Sequence, residues 1–269
     1  YTDLDSTLLN DNYSWGEASE ALAEINNLQI PLILNSSKTI SEIKNIRSDL
    51  GLYDAIIAEN GSVIGIPRNI LHPNKNSDHL FISYDESVNR YNILNTIHSL
   101  RNNNNFLFEG FFDWSLENVI KNTGLSEHDA YNSMNRYMTE PILWLDTDDR
   151  FNLFLKLIKS EGLQCISGGR FKHIMHSCFD KGSALLRVLA MYKQADPTIN
   201  YKTVALGDSP NDLPMLKNAD YAILIKNNSN LSMKLNHTNL RKSNYLGPIG
   251  WNEEVLKLLQ EYYPERIGV

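Results

Sequence analysis

Two carboxylates, Asp3 and Asp5, stand two residues apart in the opening stretch Tyr1-Thr2-Asp3-Leu4-Asp5-Ser6-Thr7. On an extended backbone alternate side chains share a face, so both acids could point at one spot with Thr7 close behind. Clustered carboxylates repel unless a cation or a proton lies between them, which makes the pair a candidate metal or acid/base site. Asp-x-Asp-Ser-Thr is also ordinary turn chemistry, so the pair needs company elsewhere in the chain. Three further polar clusters supply it: Ser36-Ser37-Lys38, then Lys181, then Asp208-Ser209-Pro210-Asn211-Asp212. These are the residue types phosphoryl transfer needs. One carboxylate can attack phosphorus and a second can move the proton. Hydroxyls and lysines can hold the non-bridging oxygens, and a few hard oxygen ligands suffice for Mg²⁺.

Each cluster must be held by an element, and the hydrophobic pattern indicates which. Residues 30–34, 55–58 and 203–206 are short apolar runs of the kind that form buried parallel strands, and each ends in a polar cluster. In open parallel sheets, sites form at those carboxyl ends. Ala18, Ala21, Leu22 and Ile25 predict a helix, opened by a capping box of Ser14 and Glu17. Ile40, Ile43, Ile46 and Leu50 predict another, closed by Gly51. Asp180-Lys181-Gly182-Ser183 opens a third, residues 221–225 form a strand, and residues 251–262 form a closing helix. Residues 67–78 form a break and residues 227–245 are expected to be mostly loop.

The middle of the chain has a different character. Helices are predicted over 88–100, 115–122, 126–138 and 150–161, with strands at 106–108, 142–145, 163–166 and 173–176. This block mixes strands and helices and lacks the aspartate clusters. The expected fold class is therefore α/β, with a Rossmann-like parallel-sheet core and an inserted α+β cap. The core is residues 1–82 and 172–269, and the insert is residues 83–171, which the family resemblance given below implies to be a cap carrying substrate specificity. Crossings near Ser83 and Phe171 suit lid-like motion of the insert.

Composition narrows the function. The net charge of −7 argues against nucleic-acid and anionic-membrane partners. No apolar run approaches the ~18 residues of a membrane span, and no signal peptide is visible, so a cytoplasmic location is expected. Strand residues ahead of Thr2 are expected outside this sequence, which starts without Met. Cys165 and Cys178 give neither a disulfide framework nor zinc spacing and are expected to be buried thiols. His173 and His176 would face opposite sides of a strand, which disfavours a zinc pair. Asp146, Asp148 and Asp149 lack the rest of a calcium loop and read as a helix start. Trp144 and Trp251 are expected in cores, not on a sugar.

The four clusters, in this order and at matching strand ends, resemble the haloacid dehalogenase superfamily of phosphatases, and the insert between the second and third motifs resembles its type IIB cap subclass. Asn35-Ser36-Ser37-Lys38-Thr39, Ala58-Glu59-Asn60-Gly61, Thr123-Gly124-Leu125, Arg136 with Glu140-Pro141, Gly168-Gly169-Arg170-Phe171 and Gly247-Pro248-Ile249-Gly250-Trp251 resemble the mannosyl-3-phosphoglycerate phosphatase branch over nearly the whole chain. The resemblance implies a Mg²⁺-dependent phosphatase that hydrolyses mannosyl-3-phosphoglycerate to mannosylglycerate and phosphate through an aspartyl-phosphate. Asp3 would be nucleophile and metal ligand, and Asp5 the acid/base residue and a carbonyl ligand of the metal. Ser36 and Lys181 would bind the phosphoryl group, Asp208 and Asp212 the metal, with Asn211 and Thr7 in support. Ser37 and Lys38 are candidate substrate contacts. A phosphoglycerate also carries a carboxylate, which arginine pairs well, so Arg136 and Arg170 are candidates for that group.

The superfamily commonly has Gly where this chain has Ser6. If that position needs positive φ, Ser costs about 1 kcal/mol there. The expected partner is a small phosphorylated substrate, and the chain a monomer or homodimer. Alternatives are a phosphatase of other sugar phosphates, a sugar phosphomutase, and a non-catalytic binding protein that kept the fold.

Overall fold

The computed structural model describes residues 1–71, 79–168, 170–228 and 233–265. The chain runs through α1 (Ser19–Asn27), β1 (Leu34–Asn35), α2 (Ile40–Asp49), β2 (Ile56–Ala58), β3 (Val63–Pro67), α3 (Arg68–Leu71) and β4 (Leu80–Ser83). A second group comprises α4 (Arg90–Asn104), β5 (Phe108–Gly110), α5 (Leu116–Thr123), α6 (Glu127–Met134), β6 (Thr139–Trp144), α7 (Asp148–Ser160), β7 (Leu163–Gly168) and β8 (Phe171–His176). The last group is α8 (Lys181–Ala195), β9 (Val204–Gly207), α9 (Leu213–Asn218), β10 (Tyr221–Lys226), β11 (Leu240–Leu246) and α10 (Gly247–Tyr262).

Residues 1–3 lie in the middle of the main sheet. Thr2 bridges in parallel to Leu34 on one side and Leu206 on the other. The N–H of Thr2 donates to the Ile33 carbonyl at 3.0 Å, and that of Asp3 to the Leu206 carbonyl at 3.0 Å. The Thr2 side chain points into the core, where the buried Trp251 Nε1 donates to its hydroxyl at 3.0 Å. Outward from this centre run β1-β2-β3-β4 on one side and β9-β10-β11 on the other. The pairs β1–β2 and β9–β10 are parallel, as expected of buried apolar runs flanked by helices, and β11 adds to β10 in parallel at the edge. Asp3, β1, β2 and β9 therefore deliver their polar ends to one edge.

A second sheet, ordered β5-β6-β8-β7, is antiparallel throughout. It buries its apolar face against α4 and α7 through Ile93, Ile97, Phe154 and Ile158. Trp144 joins this core, with ring centroids 5.6 Å from Phe106 and 5.2 Å from Phe154. Strand β4 pairs with β3 up to Ser83, and β8 pairs with β6 and β7 through Met175 and His176. We propose a core-and-cap division in which the outward crossing follows Ser83 and the return crossing follows His176, a few residues later than residue 171.

Several expectations change. Strand β3 and its antiparallel partner β4 lie within and beyond stretches read as a cluster end and a break. The turn Glu59-Asn60-Gly61 is short enough to fold the 55–58 run back on itself. The expectation that residues 227–245 are mostly loop fails for Leu240–Leu246, an edge strand whose mostly polar residues face solvent. Residues 72–78 of the expected break lie outside the described residues. Ser14 forms no capping box: its hydroxyl accepts only from the Gly16 N–H at 3.2 Å, and α1 starts later, at Ser19. Cys178 is exposed, just past the end of β8 at the return crossing, and Cys165 is half-buried on β7, the edge strand of its sheet.

Candidate active site

Lys181 is the first residue of α8, and its position is fixed locally. The Asp180 side chain caps the helix, accepting from the N–H groups of Gly182 at 2.8 Å and Ser183 at 2.7 Å. The turn after β2 packs on this cap. A Cβ at Gly61, where φ is +98°, would sit 2.1 Å from the Asp180 carbonyl oxygen, so only glycine fits. The Asn35 amide, at the end of β1, donates to the Lys181 carbonyl at 3.0 Å.

From there the Lys181 ammonium reaches Asp3 Oδ1 at 2.6 Å and Asp212 Oδ1 at 2.7 Å, all three groups buried. Carboxylate oxygens of Asp3, Asp208 and Asp212 lie within 4.8 Å of one another. Three carboxylates thus face one ammonium, an excess of two formal negative charges. Burial, reinforced by Asp212, pushes the Asp3 carboxyl well above the usual range, against the pull of Lys181. Burial and Asp212 also push Asp208 up. Burial works to lower the Lys181 pKa, but Asp212 and Asp3 outweigh it and keep the ammonium charged. A divalent cation fits this imbalance, and hard carboxylate oxygens suit Mg²⁺.

The donors around the trio differ. Both Asp212 oxygens are occupied, Oδ1 by Lys181 and Oδ2 by the N–H groups of Asp208 and Ser209 and the Ser209 hydroxyl, each at 3.0 Å. Asp212 therefore braces the turn that carries Asp208. Asp208 accepts from Thr7 Oγ1 at 3.0 Å and from the Asn227 amide at 3.1 Å. Thr7 and Asn211 are both brought in. The Asn211 amide donates to Asn60 Oδ1 at 3.2 Å.

Asp5 stands apart from the trio. Its carboxylate is half-exposed and pairs with the Lys38 ammonium at 3.1 Å, while Lys38 also lies 4.7 Å from the Tyr13 ring centroid. Ser6 does adopt positive φ, 59°, the conformation glycine favours. Ser36 is buried, its carbonyl accepting from Asn60 N–H at 3.0 Å. Arg136, in the cap, donates through Nη1 to the Ser37 carbonyl at 3.3 Å and to Thr139 Oγ1 at 3.0 Å, so it does reach the Ser36-Ser37 loop. Arg170 does not join the cluster: it is exposed and donates to the Asn122 carbonyl within the cap.

Two residues at this junction escape sequence reasoning. Asn227 sits in a stretch read as loop, and nothing in its neighbours marks it. Glu59 is fully buried and accepts from the Tyr137 and Met138 N–H groups at 2.8 and 3.0 Å and from Thr139 Oγ1 at 2.7 Å. An acid followed by Asn-Gly at the end of an apolar strand was the available signal. A cleft of about 1190 Å³ runs between the sheet edge and β7, with Asp208 and Asn211 on one wall and Gln164 and Ser167 on the other.

His173, buried on β8, responds to the same charges. Burial, with Arg136 and Lys38 nearby, pushes its imidazole down to about 3. The unfolded chain binds a proton near pH 6.5 and the folded one does not, so stability falls as pH drops from about 6.5 towards 3, by about 1.4 kcal/mol per unit. Urea unfolding at pH 7 and pH 5 is expected to show wild type losing roughly 2 kcal/mol more than His173→Gln. Equal losses would show that His173 is protonated in the folded state.

A parallel sheet that gathers three carboxylates and a buried lysine at one edge, under an inserted cap, defines an α/β phosphoryl-transfer enzyme. The chain belongs to the haloacid dehalogenase-like hydrolases, whose family pattern matches residues 1–245. Among its relatives is a glucosyl-3-phosphoglycerate/mannosyl-3-phosphoglycerate phosphatase of Persephonella marina, 32% identical over 270 residues, which cover 97% of each chain. A phosphatase of the same description from Methanococcoides burtonii is 32% identical over 266 residues, 96% of each chain. The crystal structure of a Thermoplasma acidophilum protein shares the fold, with a TM-score of 0.64 at 16% identity, covering 97% of this chain and 96% of that one. The protein is a phosphoric monoester hydrolase. Among the described residues no helix is long and apolar enough to cross a membrane.

Proposed function

We propose that the protein is a Mg²⁺-dependent phosphatase of a glycosylated 3-phosphoglycerate, with mannosyl-3-phosphoglycerate as the leading substrate. The observation that carries the chemistry is the convergence of the Asp3, Asp208 and Asp212 carboxylates, two of which, Asp3 and Asp212, pair with the Lys181 ammonium. The substrate reading rests on the two relatives that share 32% identity over nearly full length.

In this reading a free oxygen of Asp3 attacks phosphorus, the ester P–O bond breaks, and an aspartyl-phosphate forms. Asp5 gives a proton to the departing glyceryl oxygen. Water then attacks the same phosphorus, Asp5 takes its proton, the Asp3–phosphorus bond breaks and inorganic phosphate leaves. Lys181 and Ser36 hold the non-bridging oxygens throughout, and Lys38, now paired with Asp5, turns to the arriving anion. Asp3, Asp208 and the Asp5 carbonyl would hold Mg²⁺, with Asp212 beside them; the ion would neutralise the negative charge that otherwise repels a phosphate dianion. Arg136 reaches the substrate's carboxylate from the cap. Arg170, committed to Asn122, is left out of the proposal.

The test is phosphate release with Mg²⁺ from mannosyl-3-phosphoglycerate, its glucosyl counterpart and a panel of hexose phosphates. A kcat/KM at least about tenfold higher for the glycosyl phosphoglycerates supports the proposal. Equal values across the panel overturn the substrate and favour a general sugar phosphatase.

A further inference from the structure

Glu59 presents an uncommon arrangement. Its carboxylate is fully buried and no described residue places a cation within ion-pair distance of it. Instead it takes three hydrogen bonds from the segment that opens β6: Oε1 from the Tyr137 N–H, Oε2 from the Met138 N–H and the Thr139 hydroxyl. The hydroxyl that donates to Glu59 accepts, in turn, from Arg136 Nη1 at 3.0 Å. Charge and direction agree along this chain: guanidinium to hydroxyl to carboxylate.

The backbone of the same turn holds the other side. The Glu59 N–H donates to the Lys38 carbonyl at 2.9 Å and the Asn60 N–H to the Ser36 carbonyl at 3.0 Å. To do both, Glu59 and Asn60 adopt positive φ, 48° and 56°. Left-handed backbone at two successive non-glycine residues is costly, and such conformations cluster at functional sites. Arg136, held by Thr139 and by the Ser37 carbonyl, keeps one donor in reserve: its Nε is buried and has no hydrogen-bond partner.

We infer that Glu59 is a positioning residue which, through Thr139, fixes the cap-borne Arg136 beside the Ser36-Ser37 loop, so that Arg136 reads the carboxylate of the substrate at a set distance from the phosphoryl group. The inference rests on the proposed phosphoglycerate substrate and adds a device that couples cap placement to substrate choice. Glu59 itself touches no substrate. Gln at this position would turn an N–H towards the Tyr137 or Met138 N–H and break one of the contacts.

The test compares mannosyl-3-phosphoglycerate with p-nitrophenyl phosphate, which has a phosphoryl group and no carboxylate. Thr139→Val cuts the relay and leaves both backbone contacts to Glu59. It is expected to raise KM for the phosphoglycerate about tenfold with kcat nearly unchanged, and to leave p-nitrophenyl phosphate turnover within twofold of wild type. Thr139→Ser, which keeps the hydroxyl, is expected to match wild type on both. Glu59→Gln should repeat the Thr139→Val pattern, and neither should worsen an Arg136→Ala background. Equal losses on both substrates, or no loss on either, would overturn the inference. If wild type cleaves p-nitrophenyl phosphate yet shows no preference for the phosphoglycerate, the substrate reading fails first.

Discussion

Asp3→Asn is expected to fold normally and to release phosphate at least about 10⁴-fold more slowly than wild type, an effect of about 5.5 kcal/mol on the barrier. An amide oxygen lacks the charge and basicity to form an acyl phosphate, so no compensation from neighbours is available. Folding should survive, because Asn Oδ1 can still accept from the Lys181 ammonium that now sits 2.6 Å from Asp3 Oδ1. The variant also removes one of the charges that burial and Asp212 penalise. Without metal its melting temperature should equal or exceed that of wild type. With Mg²⁺ the order should reverse, since an ion that binds the native state stabilises it in proportion to affinity, and the variant has lost a ligand. Phosphate release and thermal melts, each with and without Mg²⁺, check both halves. Wild-type turnover by Asp3→Asn would remove Asp3 from the mechanism.

The parts of this site that were legible in the sequence are those where local pattern and chemistry coincide. Ser36 and Asp208 follow short apolar runs, so the run pattern puts them at strand ends, whereas Asp3, with only Tyr1 and Thr2 ahead of it, was legible through its spacing from Asp5 and Thr7. Lys181 was legible because Asp180 and Ser183 spell a helix start. Ser6 was legible as a position under conformational strain, and its φ of 59° agrees. What was not legible depends on partners far along the chain. Glu59 bonds to residues 78 to 80 positions away, and Asn227 to one 19 away, with no periodicity to announce either. Strand β11 was missed because an edge strand facing solvent looks like a polar loop, and β3 because a three-residue turn hid a reversal of direction. Arg136 and Arg170 were indistinguishable as sequence, each an arginine beside an apolar strand. Only the fold separates one that reaches the Ser37 carbonyl from one held by Asn122.

The cluster also makes Lys181 the main internal counter-charge of the site, and Lys181→Met, similar in length and uncharged, isolates that role. Removing one partner from a buried ion pair costs about 3–5 kcal/mol, since the remaining charges stay desolvated. Here two partners, Asp3 and Asp212, are stranded at once, with Asp208 close by. The loss should depend on pH in a definite direction. In wild type Asp3 and Asp208 already titrate above their ordinary value, so between about pH 4 and their raised values the folded state holds more protons than the unfolded one. Stability in that window falls as pH rises. Taking away the ammonium lifts the folded values further and widens the window upward. Urea unfolding of metal-free protein should therefore show the largest deficit at pH 7.5 and one smaller by about 1–2 kcal/mol at pH 5, where protons replace the lost cation. Mg²⁺ at pH 7.5 should recover part of the deficit by the same neutralisation. A variant as stable as wild type at pH 7.5 without metal would mean that these carboxylates do not need a cation, and the case for a metal between them would lose its electrostatic basis.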